Sequence, residues 1–299
     1  MFNRLFTRAG LSLERLRTFC EVADAGSMAK AANGDAVRQS QFSRQIKELE
    51  EHFGRRFTER SGRNVVLTSE GRELAALARQ ILAGLEAVHA TEAEEVSELV
   101  VLGAGESFLR GVVLPRLGAL RARMPKVVLE MRNLRGAEIL DALEEGRIDL
   151  GVIDETEKRA GVETLRLGKV AYRLVMAGDT NQERANTDWR AAVARPFVVL
   201  GGGREWEDRV RALAAHAGGE ARVAVRCASW HGVADAVVAV QGAGFLPSTV
   251  ENPAGCVTLK KPKLALPERT LALAWNARRG DLRLNSGDWR RGLAETLRL

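Results

Sequence analysis

Five side chains within a short stretch, Gln39, Ser40, Ser43, Arg44 and Lys47, combine amides, hydroxyls and cations in a pattern suited to nucleic-acid recognition. Amides and hydroxyls hydrogen-bond to base edges, while a guanidinium or ammonium holds phosphates. Phe42, Ile46, Leu49 and Phe53 interleave with them at spacings of four, three and four. That periodicity predicts an amphipathic helix whose four apolar residues face inward and whose five polar ones face outward. A solvated helix face presents the same pattern, so spacing alone leaves both readings open.

The neighbouring segments are those such a helix would need. Leu13, Leu16, Phe19, Cys20, Val22 and Ala23 predict an earlier amphipathic helix that ends at Ala25-Gly26. Ser27 is placed to cap a short second helix, Met28 to Ala32, and Asn33-Gly34-Asp35 reads as a turn. Two helices joined by a tight turn, the second presenting polar groups, are suited to entering the major groove. Residues 55–67 read as two short strands around Ser61-Gly62, a basic wing whose Arg60 and Arg63 could reach the backbone or minor groove.

Residues 13–71 resemble the DNA-binding domain of the LysR-type regulators. The resemblance rests on Ala31-Ala32, Val37, Gln39-Ser40-x-Phe42-Ser43-Arg44-Gln45-Ile46-Lys47-x-Leu49-Glu50, Gly54, Arg60, Gly62, Arg63, Leu67-Thr68 and Gly71. It implies a winged helix-turn-helix in which Arg38, Gln39 and Ser40 read bases. Ser27, Ser43, Arg44, Lys47 and the wing arginines Arg60 and Arg63 complete the expected DNA contacts. The chain departs from the family pattern at Gly34-Asp35 and at Arg38, where a capping Ser is usual. An arginine there could donate bidentately to guanine, which predicts an altered operator preference. Thr58 stands where the family has Phe, and Phe57 beside it is expected to fill that space.

From residue 68 to about 97, Leu74, Ala78, Ile81, Leu85 and Val88 recur at spacings of four, three, four and three. This is a heptad seam, although a helix buried against its own domain would show it too. In the resembled family the segment, here 71–97, is a linker helix that pairs two subunits. The resemblance therefore implies a homodimer reading an inverted repeat, further pairing into a homotetramer, and RNA polymerase as a partner.

Beyond residue 98 short apolar strands alternate with helices. The reading is strands at 99–102, 127–131 and 150–153 with helices near 109–124 and 137–144, then strands at 172–176, 197–200, 223–225, 244–246 and 271–275 and a final helix from Asp288. The rhythm predicts a mostly parallel α/β sheet. Leu114-Pro115, Asp141-Ala142-Leu143, Gly146-x-x-Asp149-Leu150-Gly151 and Gly242-x-Gly244-Phe245-x-Pro247 resemble the LysR-type effector domain. That domain is similar to periplasmic solute-binding proteins, two α/β lobes enclosing a small molecule. The implied division is a DNA-binding domain over 1–70, the linker, and an effector domain over 98–299, with lobe I at 98–160 and 267–299 and lobe II at 161–266.

Ligands in such folds sit beyond the C-terminal ends of strands. This points to Gly105, Glu106 and Ser107 after the first strand, with Ser107 donating to a ligand carboxylate or merely capping its helix. On the second lobe it points to Gly202, Gly203, Arg204 and Phe245. Glu106 puts a negative charge at the mouth, which Arg135 or Arg204 would have to offset.

Composition narrows the alternatives. The 299 residues carry net charge +6 and 28% charged side chains, but the basic excess is spread: 13 Lys/Arg against 9 Asp/Glu over 1–72, and 31 against 24 over 99–299. Residues 73–98, with one Arg and six Glu, cannot be the DNA surface. His52, His89, His216 and His231 show no metal-ligand spacing, and no G-x-S-x-G or G-x-x-x-x-G-K-[ST] is present, so neither an enzyme, a metal nor a cofactor is expected. The three cysteines form no CxxC, and no apolar run suits a membrane span or signal peptide, so a cytoplasmic protein without a membrane partner is expected. Two alternatives stay open: a small-molecule binding protein with a degenerate DNA-binding domain, and a thiol sensor using Cys227 and Cys256.

Overall fold

The computed structural model describes residues 5, 7, 9–61, 64–89, 98–178, 189–259, 266–277 and 288–299. The N-terminal unit consists of α1 (Leu13–Ala25), α2 (Met28–Ala31), α3 (Ala36–Phe53), β1 (Thr58–Ser61), β2 (Asn64–Leu67) and α4 (Ser69–His89). Leu16, Phe19, Val22, Phe42, Ile46 and Leu49 close one core, as their periodicity predicts. Ser12 Oγ accepts from Arg15 N at 3.2 Å to start α1, and Gly26 in the left-handed region ends it. Phe57 packs 5.9 Å from the Phe19 ring and 5.5 Å from Phe53, filling the space expected of it. Gly71 has a steric reason: a Cβ there would sit 2.0 Å from the Phe57 carbonyl oxygen.

Helix α4 is not a free seam. Leu74, Ala75, Ala78 and Leu82 pack into the core of their own DNA-binding unit, whereas Leu77, Ile81 and Leu85 are 49%, 39% and 40% exposed. The expected stripe is thus corrected. Leu74 and Ala78 are turned inward because α4 must cover α1, and Leu77 takes the outward place instead. The described part of α4 ends at His89; the side chain of Val88, and residues 90–97 of the expected linker, lie outside the description. Arg79 Nη2 donates to Asp24 Oδ1 at 2.6 Å and Nη1 donates to the Glu145 carbonyl, joining α4 to α1 and to the effector unit.

The C-terminal unit contains β3 (Glu98–Ala104), α5 (Glu106–Phe108), α6 (Leu117–Arg123), β4 (Val127–Asn133), α7 (Ala137–Glu145), β5 (Leu150–Asp154) and β6 (Val162–Ala177). There follow α8 (Arg190–Val193), β7 (Phe197–Leu200), α9 (Glu205–His216), β8 (Val223–Cys227), α10 (Trp230–Ala239), β9 (Ala243–Pro247), β10 (Cys256–Thr258), β11 (Glu268–Asn276) and α11 (Asp288–Thr296). The single helix expected near 109–124 is broken: a π-helical stretch, Leu109–Val113, and a 3-10 turn, Leu114–Arg116, separate α5 from α6. Pro115 enters that turn, and the π-helical stretch brings Gly111 against the Thr249 carbonyl, where a Cβ would lie 1.7 Å away.

One mixed sheet runs β4-β3-β5-β11-β6-β9-β7-β8, with β10 on β6. β3 pairs in parallel with β4 and β5, and β7 with β8 and β9, giving two βαβ halves. Two antiparallel strands join them. β11 pairs with β6 over 162–171, and β6 continues against β9 through residues 172–176. Val162 and Leu167 are buried in first-lobe cores and Leu174 and Met176 in a second-lobe core. The chain therefore crosses between lobes within β6, around residues 168–171, and not near 160 as expected. The strand expected at 172–176 is only the second half of this element; the charged residues of its first half hid it.

Candidate nucleic-acid interface and effector cleft

Helix α3 begins two residues before the expected base-reading start. Asp35 is its N-cap, with Oδ1 accepting from Val37 N at 2.8 Å and Arg38 N at 3.2 Å. The departure at Gly34-Asp35 thus relocates the cap and adds Ala36 and Val37 to the helix. Arg15 Nε donates to Glu48 Oε2 at 2.7 Å, fixing α1 across α3. Glu50 Oε1 accepts from Phe57 N at 2.8 Å, Thr58 N at 3.0 Å and Thr58 Oγ1 at 3.1 Å, anchoring the wing to the same helix.

Gln39, Ser40, Ser43, Arg44 and Lys47 are all exposed, while Phe42, Ile46 and Leu49 are buried. The polar set therefore forms one open face, as the spacing predicts. Arg44 and Lys47 make only loose i,i+4 pairs, at 3.8 Å to Glu48 and 3.7 Å to Glu51, which are weak at this exposure. Arg38 differs from the expectation. Its guanidinium lies over the Phe42 ring, 5.2 Å from the centroid, and 3.5 Å from Glu21, which turns it toward its own domain. Ser27 stands at the N-cap of α2 but makes no capping bond through its hydroxyl and is buried. Arg60 lies on β1, and Arg63 falls outside the described residues.

Between the lobes lies a cleft of about 240 Å³. The first lobe contributes Gly105, Glu106 and Ser107, which follow β3, and Arg135, which follows β4. Gly105 holds the N-cap position of α5, so Ser107 does not cap it. The opposite wall differs from the expectation. Gly202, Gly203 and Arg204 are exposed in the loop before α9 and do not line the cleft. Phe245 is buried beneath it, 5.6 Å from the Trp206 ring. Tyr172, Trp230, Pro247, Thr249 and Arg269 form the wall instead. Sequence reasoning missed them because Tyr172 was read only as the start of a strand, the helix that begins at Trp230 was not read at all, and Thr249 follows β9 in a turn; the aromatic pair was the available signal.

Tyr172 and Trp230 have ring centroids 5.5 Å apart, and both pack on Trp206, at 4.7 and 4.9 Å. Burial pushes the Tyr172 phenol above its ordinary pKa, so it stays a neutral donor. The Glu106 carboxylate pairs with Arg110 at 3.2 Å rather than with Arg135 or Arg204, and His231 of the second lobe lies beside it. Glu106 Oε2 and His231 Nδ1 are 2.9 Å apart, but out of hydrogen-bonding alignment and without other hydrogen-bond partners. Arg135 Nη2 donates across the cleft to the Ala228 carbonyl. Thr249 is 7% exposed, and its Oγ1 has no hydrogen-bond partner among the described residues. Buried polar atoms are normally satisfied, so Glu106 Oε2, His231 Nδ1 and Thr249 Oγ1 are exceptions at the cleft.

Cys227 and Cys256 lie on β8 and β10, four strand spacings apart through β6, β9 and β7, or roughly 19 Å. That exceeds the span of a disulfide. Burial raises both thiol pKa values, with Asp235 adding to the effect at Cys227. Among the described residues no cluster of metal-ligating side chains forms and no helix is long and apolar enough to cross a membrane.

Comparison with known proteins matches residues 13–72 to the family described as "Bacterial regulatory helix-turn-helix protein, lysR family", and residues 93–285 to "LysR substrate binding domain". The "Probable hydrogen peroxide-inducible genes activator" of Mycobacterium leprae is 26% identical over 273 residues, covering 89% of this chain and 88% of that protein. A full-length single-substitution variant of OxyR from Pseudomonas aeruginosa shares the fold with a TM-score of 0.64 at 22% identity, over 96% of this chain and 98% of that one. Full-length CbnR, in complex with its target DNA, does so with a TM-score of 0.54 at 20% identity, over 96% and 99%.

Proposed function

The chain belongs to the LysR family of DNA-binding transcription regulators with an effector-binding domain, and on that premise we propose that it reads its operator through the open face of α3. The observation that carries this is the arrangement of α3: Gln39, Ser40, Ser43, Arg44 and Lys47 exposed on a helix whose opposite face is locked into α1 and the wing. Gln39 and Ser40 read bases, Ser43, Arg44 and Lys47 hold phosphates, and Arg60 and Arg63 carry the wing to the backbone. Ser27 supports this surface from below rather than by its hydroxyl.

The unit that binds is a homodimer formed through the exposed Leu77, Ile81 and Leu85 of α4, so that two recognition helices meet half-sites about one helical turn apart. Dimers pair further into a tetramer, and the bound assembly engages RNA polymerase in the cytoplasm. The effector domain divides into lobes that meet within β6 and β11. It acts as a receptor, not an enzyme: a small molecule in the cleft contacts Ser107, Tyr172, Trp230 and Thr249 and changes how the lobes, and hence the subunits, are placed. By linkage, operator DNA changes effector affinity by the same factor.

The test is selection of genomic fragments by the purified protein, followed by binding of the recovered sequences against salt. A partially palindromic site with a steep salt dependence is expected. A folded dimer that enriches no sequence would overturn the proposal and favour a binding protein with a degenerate DNA-binding domain.

A further inference from the structure

Val37 is 79% exposed, more than any other large apolar side chain among the described residues. An isolated exposed valine is ordinary; its position is not. The Asp35 cap draws Ala36 and Val37 into the first turn of α3, so both acquire a fixed helical direction. At about 100° per residue, Val37 and Arg44 fall within roughly 20° of each other, with Ser40 and Gln41 flanking them. Ala36, Val37, Ser40, Gln41 and Arg44 together line one shallow depression on the outer face. Val37 is therefore the apolar member of a ridge otherwise made of hydroxyl, amide and guanidinium. Phe42 and Ile46 point the opposite way, into the core, while Val37 stays largely open to solvent.

Such a ridge matches the floor of a major groove. Arg44, long and cationic, reaches phosphates, whereas a short branched side chain one to two turns earlier lies over base edges. Each base pair presents a distinct group there, and the one apolar group is the C5-methyl of thymine. We propose that Val37 is a specificity-determining residue that buries its isopropyl group against a thymine methyl in each half-site. Gln39, exposed about 160° around the helix from Val37 at the other edge of the polar face, reads a different base. This assignment rests on the DNA-binding reading of α3 and goes beyond it by naming the base group recognised.

The test replaces thymines one at a time with deoxyuridine in the duplex recovered by selection, which removes the methyl and leaves every hydrogen-bonding group in place. At one symmetry-related pair of positions, wild-type affinity should fall by about fourfold per half-site, the value of one buried methyl. Val37→Ala should lose a similar factor on the unmodified duplex and be indifferent to deoxyuridine at that pair. Gln39→Ala should keep the full methyl dependence. An unchanged thermal midpoint confirms that Val37→Ala is folded, and Val37→Thr, retaining one methyl, should fall between the two. The inference is overturned if Val37→Ala keeps the wild-type methyl dependence at every thymine, or if wild type binds selectively yet ignores every methyl. Wild type forming no selective complex at all would overturn the DNA-binding reading as well.

Discussion

Arg38 Nη2 lies 3.5 Å from Glu21 Oε2, so a residue that the sequence places among the base readers is tied to the first helix of its own domain. The stack on Phe42 reinforces that direction. Arg38→Ala is therefore expected to destabilise the domain by about 0.5–1 kcal/mol and leave base preference unchanged. Selection on the variant checks this. A changed preference at one position would return Arg38 to the readers.

Arg44 and Lys47 hold only weak exposed pairs, so both are available to phosphates. Arg44→Ala should weaken binding to all sequences alike and reduce the slope of log affinity against log salt by about one. Gln39→Ala should instead relax specificity. Titrations at several salt concentrations separate the two, and equal salt-independent losses would contradict the assignment.

Leu77, Ile81 and Leu85 present a half-exposed apolar stripe among the described residues, while Leu74 and Ala78 are in the core. Ile81→Glu should shift the protein toward monomer in sedimentation, with little loss of fold. Ala78→Glu should unfold the DNA-binding unit, because an unpaired charge would enter a closed core.

Thr249 carries a buried hydroxyl without a hydrogen-bond partner among the described residues. Thr249→Val should leave the unliganded protein equally stable or about 1 kcal/mol more so, because a desolvated polar group is removed at nearly constant volume. The same variant should lose its response to effector. Thermal melts and DNA binding in the presence of cell metabolites read the two effects, and a destabilised variant with a normal response would contradict them.

Burial raises the pKa of both Cys227 and Cys256, so the reactive thiolate is scarce at neutral pH and grows only as pH rises through the elevated values. Alkylation should be slow at pH 7 and accelerate above the usual thiol range. Peroxide should leave DNA affinity unchanged; loss of affinity that thiol reductant restores would favour the sensor reading.

Much of this protein was legible before folding. The periodicity of Phe42, Ile46 and Leu49 set which face of α3 is buried, and therefore that Gln39, Ser40, Ser43, Arg44 and Lys47 face outward, because a helix has one register against its core. Strands such as Leu150–Asp154 announced themselves as short apolar runs, since a strand covered on both faces has no polar side. Gly105, Glu106 and Ser107 followed from standing just after such a strand.

Tertiary structure decided what depends on distant partners. β6 reads as charged and irregular over its first half because it is held by hydrogen bonds to β11, about a hundred residues later, rather than by a continuous apolar pattern. The far wall of the cleft, Tyr172, Trp230 and Thr249, is assembled from three separate elements, and no local spacing relates them. Which half of the α4 stripe faces inward was likewise set by α1, since periodicity specifies that a helix has an apolar face but not which neighbour covers it. Arg38 shows the same limit at the scale of one side chain: its type is written in the sequence, but its direction was chosen by Glu21 and Phe42.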